Sequence, residues 1–211
     1  MNEKRRIILA YCCYFIGCAM SFAINFETMH QSNRFWMTFA AIGSVSIVPI
    51  FLKVFHFKGV EEIHYINVVF CFFAALIGSC FGGYGVKYFD KWVHFGFGFI
   101  GIELSAMLFF LLYRDNELIE QRIKRIFIIF INAVNVMMAV FWEFYEYALL
   151  VFFKNDAVNH YTTGVHDTMT DMVVCTLGGL IVTIFWMSYL QKGKQNYFSR
   201  LVERMYLLNK K

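Results

Sequence analysis

The sequence predicts an all-α polytopic membrane protein, a bundle of about six transmembrane helices with both termini in the cytoplasm. Three observations lead there. The chain of 211 residues is 59% hydrophobic and 20% aromatic but only 16% charged, with a mean hydropathy of +0.55. A soluble domain is more charged and less apolar. The apolar residues are gathered into six continuous segments, each about the 20 residues needed to cross a hydrocarbon core. Finally, the basic residues lie in short runs between those segments, as orienting loops require. Disordered, fibrous and disulfide-framework classes are excluded by the same composition.

The predicted spans are Ile7–Phe26, Phe35–Phe55, Ile63–Phe81, Trp92–Tyr113, Ile126–Phe153 and Met169–Leu190. They are continuous rather than alternating at period two, so they read as helices and not as barrel strands. In the first, Lys4, Arg5 and Arg6 precede an apolar run longer than a signal-peptide core, which reads as a retained helix. The second contains the only proline, Pro49, where a kink is expected. The fifth is long enough to tilt or to project beyond the headgroups. The six cysteines have no metal-site spacing and read as small buried hydrophobes.

With the N-terminus inside, only Arg34, Lys87, Lys91 and Lys154 of the 19 basic residues fall outside. That bias sets the orientation. The net charge of +4 is distributed among loops and forms no stripe for nucleic acid. The stretch from Gln191 onward reads as a basic amphipathic tail lying on anionic lipid. Residues 1–211 are expected to form one integral membrane domain, and nothing in the sequence fixes its oligomeric state.

Polar groups inside spans are costly to bury, an acidic one by about 2.5–3.5 kcal/mol at mid-bilayer, so they are the informative residues. The first three spans carry few, chiefly Asn25 and Asn67. The last three concentrate them. Asp90 and His94 are four apart at the start of the fourth span, so the carboxylate can orient the imidazole. Gly96 and Gly98 follow, where a neighbour or a ligand can approach closely. Glu103 lies on the opposite side and reads as packing against another helix. On the fifth span Asn132, Asn135, Trp142 and Glu146 form one stripe, with Glu143 beside Glu146. Two ionised carboxylates this close need a cation, a proton or a basic partner. The sixth span opens with His166, Asp167 and Asp171. Asp167 suits the N-cap, and Asp171 points into the bundle if Gly178 and Gly179 do.

The topology count brings these clusters to the outer end. Asp90, His94, His166 and Asp167 are the expected catalytic groups. Glu143, Glu146 and Asp171 are the expected ligands of a divalent cation, Mg, Mn or Ca. No serine or cysteine stands in a nucleophile motif.

The order Phe89-Asp90-Lys91-x-x-His94-Phe95, Trp142-Glu143-x-x-Glu146, Asp167-Thr168-x-x-Asp171-Met172 and Gly178-Gly179 resembles the YjdF-like family of bacterial inner-membrane proteins over nearly the whole chain. The resemblance implies a membrane fold and little about function. A looser likeness is to VanZ-like proteins, which implies an activity on lipid head groups. Cys175 stands where that likeness leads one to expect a further acidic residue. Three functions follow. The first is an enzyme modifying a lipid head group, with membrane lipids or a lipid-linked molecule as substrate. The second is a scaffold whose acidic groups fix helix register. The third is a small-solute or ion transporter, disfavoured by a cytoplasmic half nearly bare of polar groups and by the lack of an inverted repeat.

Overall fold

The structure is a computed structural model, and it describes residues 2–30, 32–113 and 121–209. Arg114, Lys210 and Lys211, which entered the charge count, lie outside the described residues. The helices are α1 (Glu3–Asn25), α2 (Arg34–Val54), α3 (Glu61–Cys71, continuing as a π-helix over Phe72–Cys80), α4 (Phe89–Tyr113), α5 (Gln121–Phe153), α6 (Val165–Lys192) and α7 (Tyr197–Asn209), with a single 3₁₀ turn at Gly83–Gly85. The first six, counting α3 with its π-helical half, are long and apolar enough to cross a membrane. Each covers the corresponding predicted span to within a few residues.

The chain divides into two compact units, Met1–Val93 and His94–Lys211, and the division falls within α4. The first unit packs α1, α2 and α3 around Tyr14, Cys18, Ala41, Val45, Cys71, Leu76 and Cys80. Neutral side-chain hydrogen bonds join the helices. Tyr14 donates to the Ala41 carbonyl at 3.1 Å, and the Ser21 and Thr38 hydroxyls meet at 2.7 Å. Pro49 has no N–H, so the Val45 carbonyl one turn back loses its intrahelical donor. Asn67 Nδ2 from α3 supplies the replacement at 2.7 Å. In the π-helical half of α3 the backbone bonds shift one residue further along the chain, as where Phe81 N–H donates to the Leu76 carbonyl at 3.0 Å. Asn25 Nδ2 donates to the Cys80 carbonyl at the end of that stretch, 3.3 Å away.

The second unit is organised by glycine. A Cβ on Gly98 would lie 1.9 Å from the Cys175 carbonyl oxygen, and one on Gly178 would lie 2.2 Å from that of Phe95. Helices α4 and α6 therefore cross backbone to backbone, as small residues allow in lipid. Gly96, by contrast, has no neighbour within 4 Å of its Cβ direction. The close approach expected at Gly96 and Gly98 occurs only at Gly98, because position 96 points away from the crossing. Just below, Asn135 of α5 is wedged between two glycines. A Cβ on Gly101 would lie 2.0 Å from its Oδ1, and one on Gly179 would lie 2.3 Å from its Nδ2. Glu103 is buried and accepts a hydrogen bond from Trp186 Nε1 of α6 at 3.1 Å. It packs against another helix, as its position opposite His94 predicts.

The far end of this unit is sealed by rings. Phe127 packs edge-on to Trp186 at 4.9 Å and to Phe109 at 5.1 Å. Tyr206 of α7 comes within 6.3 Å of Phe110. Helix α7 buries Leu201, Val202, Met205 and Tyr206. Those four side chains are packed on protein, whereas Tyr197, Leu207 and Leu208 of the same helix are exposed. Of the cysteines, Cys18, Cys71, Cys80 and Cys175 are buried, whereas Cys12 and Cys13 lie on an exposed side of α1.

Candidate functional site

One turn before the glycine crossing, three helices each present one ionisable side chain. His94 lies four residues before Gly98 on α4, and Asp171 lies four residues before Cys175 on α6. Glu143 lies four residues beyond Ala139, a buried residue of α5. The crossing brings the α4 and α6 backbones together, so it also sets the separation of the groups a turn away. His94 and Asp171 are 1% exposed and Glu143 is 5% exposed. The ligand-type atoms of these three residues all lie within 4.8 Å of one another.

Glu146 stands about a turn further along α5 than Glu143, and Asp167 a turn before Asp171 on α6. His94 Nε2 is 3.9 Å from Glu146 Oε1 and 3.9 Å from Asp171 Oδ1. Trp142 fixes this wall. Its indole N–H donates to Glu146 Oε1 at 2.8 Å, and its ring meets the His94 imidazole edge-on at 5.6 Å. Phe97 packs on the other side of Trp142 at 4.9 Å. A carboxylate held by an indole, and an imidazole packed on that same ring, have few rotamers left, which is the preorganisation a site needs.

Asp167 is positioned by the loop before α6. Asp156 accepts the backbone N–H groups of His160 and Tyr161 at 2.7 and 3.1 Å and so shapes that loop. Gly164, at a φ of +53°, ends it. Helix α6 starts directly afterwards, at Val165, so Asp167 is in the first turn and Gly164 takes the cap position. The N-cap expected of Asp167 is displaced because a glycine in that backbone region turns the chain earlier. Asp167 Oδ2 instead accepts from Asn159 Nδ2 at 2.6 Å. His166 is exposed beside it.

Asp90 belongs to the first unit. It lies one turn before His94 along α4 and pairs with Lys91 at 3.4 Å. Within the second unit the structure brings together His94, Glu143, Glu146 and Asp171. Asp167 stands a turn outward on α6, and His166 is at the rim. Two contributors were not read from the sequence. Asn159 carries no periodic signal in a loop, and Gly101 is one of several glycines on α4 with nothing to mark it as half of the Asn135 slot.

The cluster holds one imidazole and the carboxylates of Glu143, Glu146 and Asp171, nearly all hidden from solvent. Like charges at these distances repel strongly in a low-dielectric interior. A bound cation or shared protons relieve that repulsion, and the residue types suit hydrolytic chemistry on a polar group.

No curated protein and no solved structure matches the chain. The likeness to VanZ-like proteins has no support among the matches. Residues 9–192 match the family described as predicted membrane protein DUF2238, which takes in all the site residues of α4, α5 and α6. With six apolar spans and a match over most of its length, the chain belongs to the DUF2238 family of membrane proteins.

Proposed function

We propose that the protein is an enzyme that cleaves or transfers a phosphoryl-linked lipid head group at the outer leaflet, with a divalent cation held in the second unit. The observation that carries this reading is the convergence of His94, Glu143 and Asp171 from three helices into one buried cluster. A lone buried carboxylate is explained by helix packing, as Glu103 and Trp186 illustrate. Three ionisable groups meeting at one point, with Glu146 a fourth beside them, are a costly arrangement for packing alone.

The division of labour follows from depth. Glu143 and Asp171, deeply buried, would hold the cation, whose chemistry there would be to polarise a phosphoryl oxygen. Glu146, oriented by Trp142, takes the proton of an attacking water. The water oxygen bonds to phosphorus, the P–O bond to the departing group breaks, and His166 at the rim gives the alkoxide its proton. Water and a phosphodiester become a phosphomonoester and an alcohol. Asp167, tied to Asn159, keeps that rim in register. Asp90 is assigned to the entry of α4, where it holds Lys91. The outward orientation rests on the lysine and arginine distribution.

The test is head-group release from phospholipids by the purified protein in lipid nanodiscs, followed by phosphorus NMR with and without added divalent ions. Conversion that disappears in Asp171→Asn supports the reading. No conversion of any phospholipid class, with folded protein and every common ion supplied, overturns it. Orientation is tested separately in a cysteine-free background. His160→Cys should react with an impermeant maleimide added outside, and Lys194→Cys should not.

A further inference from the structure

We propose that the three-helix cluster selects a borderline transition ion of the zinc kind over magnesium and calcium, and that His94 makes the choice. This rests on the preceding reading only in that the site holds a cation. The oxygen-rich set Glu143, Glu146 and Asp171 read from the sequence would suit a hard ion. The closest grouping within the second unit instead includes an imidazole: His94 with Glu143 and Asp171.

Magnesium and calcium are bound through oxygen. Calcium takes six to eight such ligands, and magnesium keeps several of its waters. Neither demand is met readily here. The groups are almost wholly buried. The spacing of α4 and α6 is fixed one turn below, where the backbones touch at Gly98 and Gly178. That contact leaves no freedom for the helices to part around a larger coordination shell. Zinc accepts imidazole nitrogen and carboxylate oxygen at about 2.0–2.2 Å and is content with four ligands.

The distances fit a shared ion. Two ligands at about 2.0–2.2 Å from one metal can be no more than about 4.3 Å apart. His94 Nε2 and Asp171 Oδ1, at 3.9 Å, are inside that limit. A tetrahedral zinc sets its ligand atoms about 3.4 Å apart, so the group, spread over up to 4.8 Å, closes around it with side-chain movements of about 1 Å. Glu146 Oε1 already accepts from the Trp142 indole, which leaves it beside the ion as base rather than as ligand.

The experiment needs no substrate. Chelator-stripped protein in detergent is titrated with Co²⁺ as a visible probe for the zinc class, and the bound Co²⁺ is then challenged with other ions. One Co²⁺ per chain should bind with the spectrum of a low-coordinate nitrogen–oxygen site. Stoichiometric Zn²⁺ should displace it, and a hundredfold excess of Mg²⁺ or Ca²⁺ should not. His94→Gln should weaken Zn²⁺ binding at least tenfold and leave Mg²⁺ binding as it was. His94→Asp, which restores an all-oxygen set, should shift preference toward Mg²⁺. Displacement of Co²⁺ by equimolar Mg²⁺ or Ca²⁺ overturns the proposal, as does wild-type Zn²⁺ affinity in His94→Gln, or binding of no ion at all. The wild-type competition decides by itself if the variants do not fold. Mg²⁺-dependent lipid turnover would uphold the enzymatic reading and sink this one, and selective zinc binding without lipid turnover would do the reverse.

Discussion

The two units bury polar groups of different kinds. In the first, the buried polar residues are Ser21, Asn25, Thr38 and Asn67, all uncharged. Each makes a side-chain hydrogen bond, often to a carbonyl of a neighbouring helix. In the second, the buried set includes His94, Glu103, Glu143, Glu146, Asp167 and Asp171. Neutral groups of the first kind hold helices together in lipid, where each bond is worth on the order of 1 kcal/mol. Ionisable groups cost more than they return by packing. The same solvent thus separates a unit that buries neutral groups from one that buries ionisable ones.

The largest effect should come from the crossing on which the site depends. Gly98→Leu would drive a side chain into the Cys175 carbonyl, where a Cβ already falls at 1.9 Å. Backbone cannot yield as a side chain does, so folded protein should be lost on size-exclusion chromatography. Gly96→Leu, two residues away and unobstructed, should leave it intact. Equal yields of the two variants would show that the glycines of α4 do not set the geometry of the second unit.

Next comes Asp171→Asn, which keeps shape and removes charge. If the second unit is functional, lipid turnover should fall by a factor of about 100 or more while the melting temperature stays level or rises, since crowded site carboxylates destabilise. If Asp171 is instead the anchor of a structural network, losing it should cost about 3–5 kcal/mol, and the protein should aggregate. That result would make the two units alike and remove the contrast drawn between them.

How much of this was legible in the sequence follows the same division. The six spans were, because about 20 apolar residues is a length the bilayer dictates. The site residues on α4, α5 and α6 were legible too, because a charge inside an apolar run stands out. What joins them was less so. That His94 approaches Asp171 depends on Gly98 meeting Cys175, a pairing between segments some eighty residues apart with no periodic trace. Asp167 was misplaced at the cap because Gly164 ends the loop three residues earlier, and a local cap preference does not see a backbone turn at positive φ. Which residues of the tail pack on protein was illegible for a similar reason. An amphipathic helix advertises an apolar face, and only the tertiary structure says whether protein or lipid covers it.

The cohesive unit can be probed through Asn67 and Pro49. Asn67→Ala removes the donor that serves the Val45 carbonyl. A buried acceptor left unserved costs about 1–3 kcal/mol, so the melting temperature should drop by several degrees with turnover unchanged. Adding Pro49→Ala returns an N–H to position 49 and lets α2 serve Val45 itself. The double variant should therefore recover much of the loss. Strict additivity of the two changes in thermal unfolding would show that Asn67 does not act through the proline gap.

The smallest effect expected is a gain. Gly96 sits inside α4 with open space where a side chain would go, and its backbone conformation is helical. Glycine inside a helix is about 1 kcal/mol worse than alanine, because the unfolded chain gains freedom that folding must remove. Nothing near Gly96 offsets that, unlike Gly98, whose missing Cβ is what lets α4 touch α6. Gly96→Ala should therefore raise the melting temperature by roughly 2–4 °C and leave turnover unaltered. A rise at position 96 set against collapse at position 98 would place the boundary of the crossing within a single helical turn. A fall in melting temperature, or loss of turnover in a stable Gly96→Ala protein, would mean that substrate or a neighbour comes against that face of α4, and the geometry of the mouth would have to be redrawn around it.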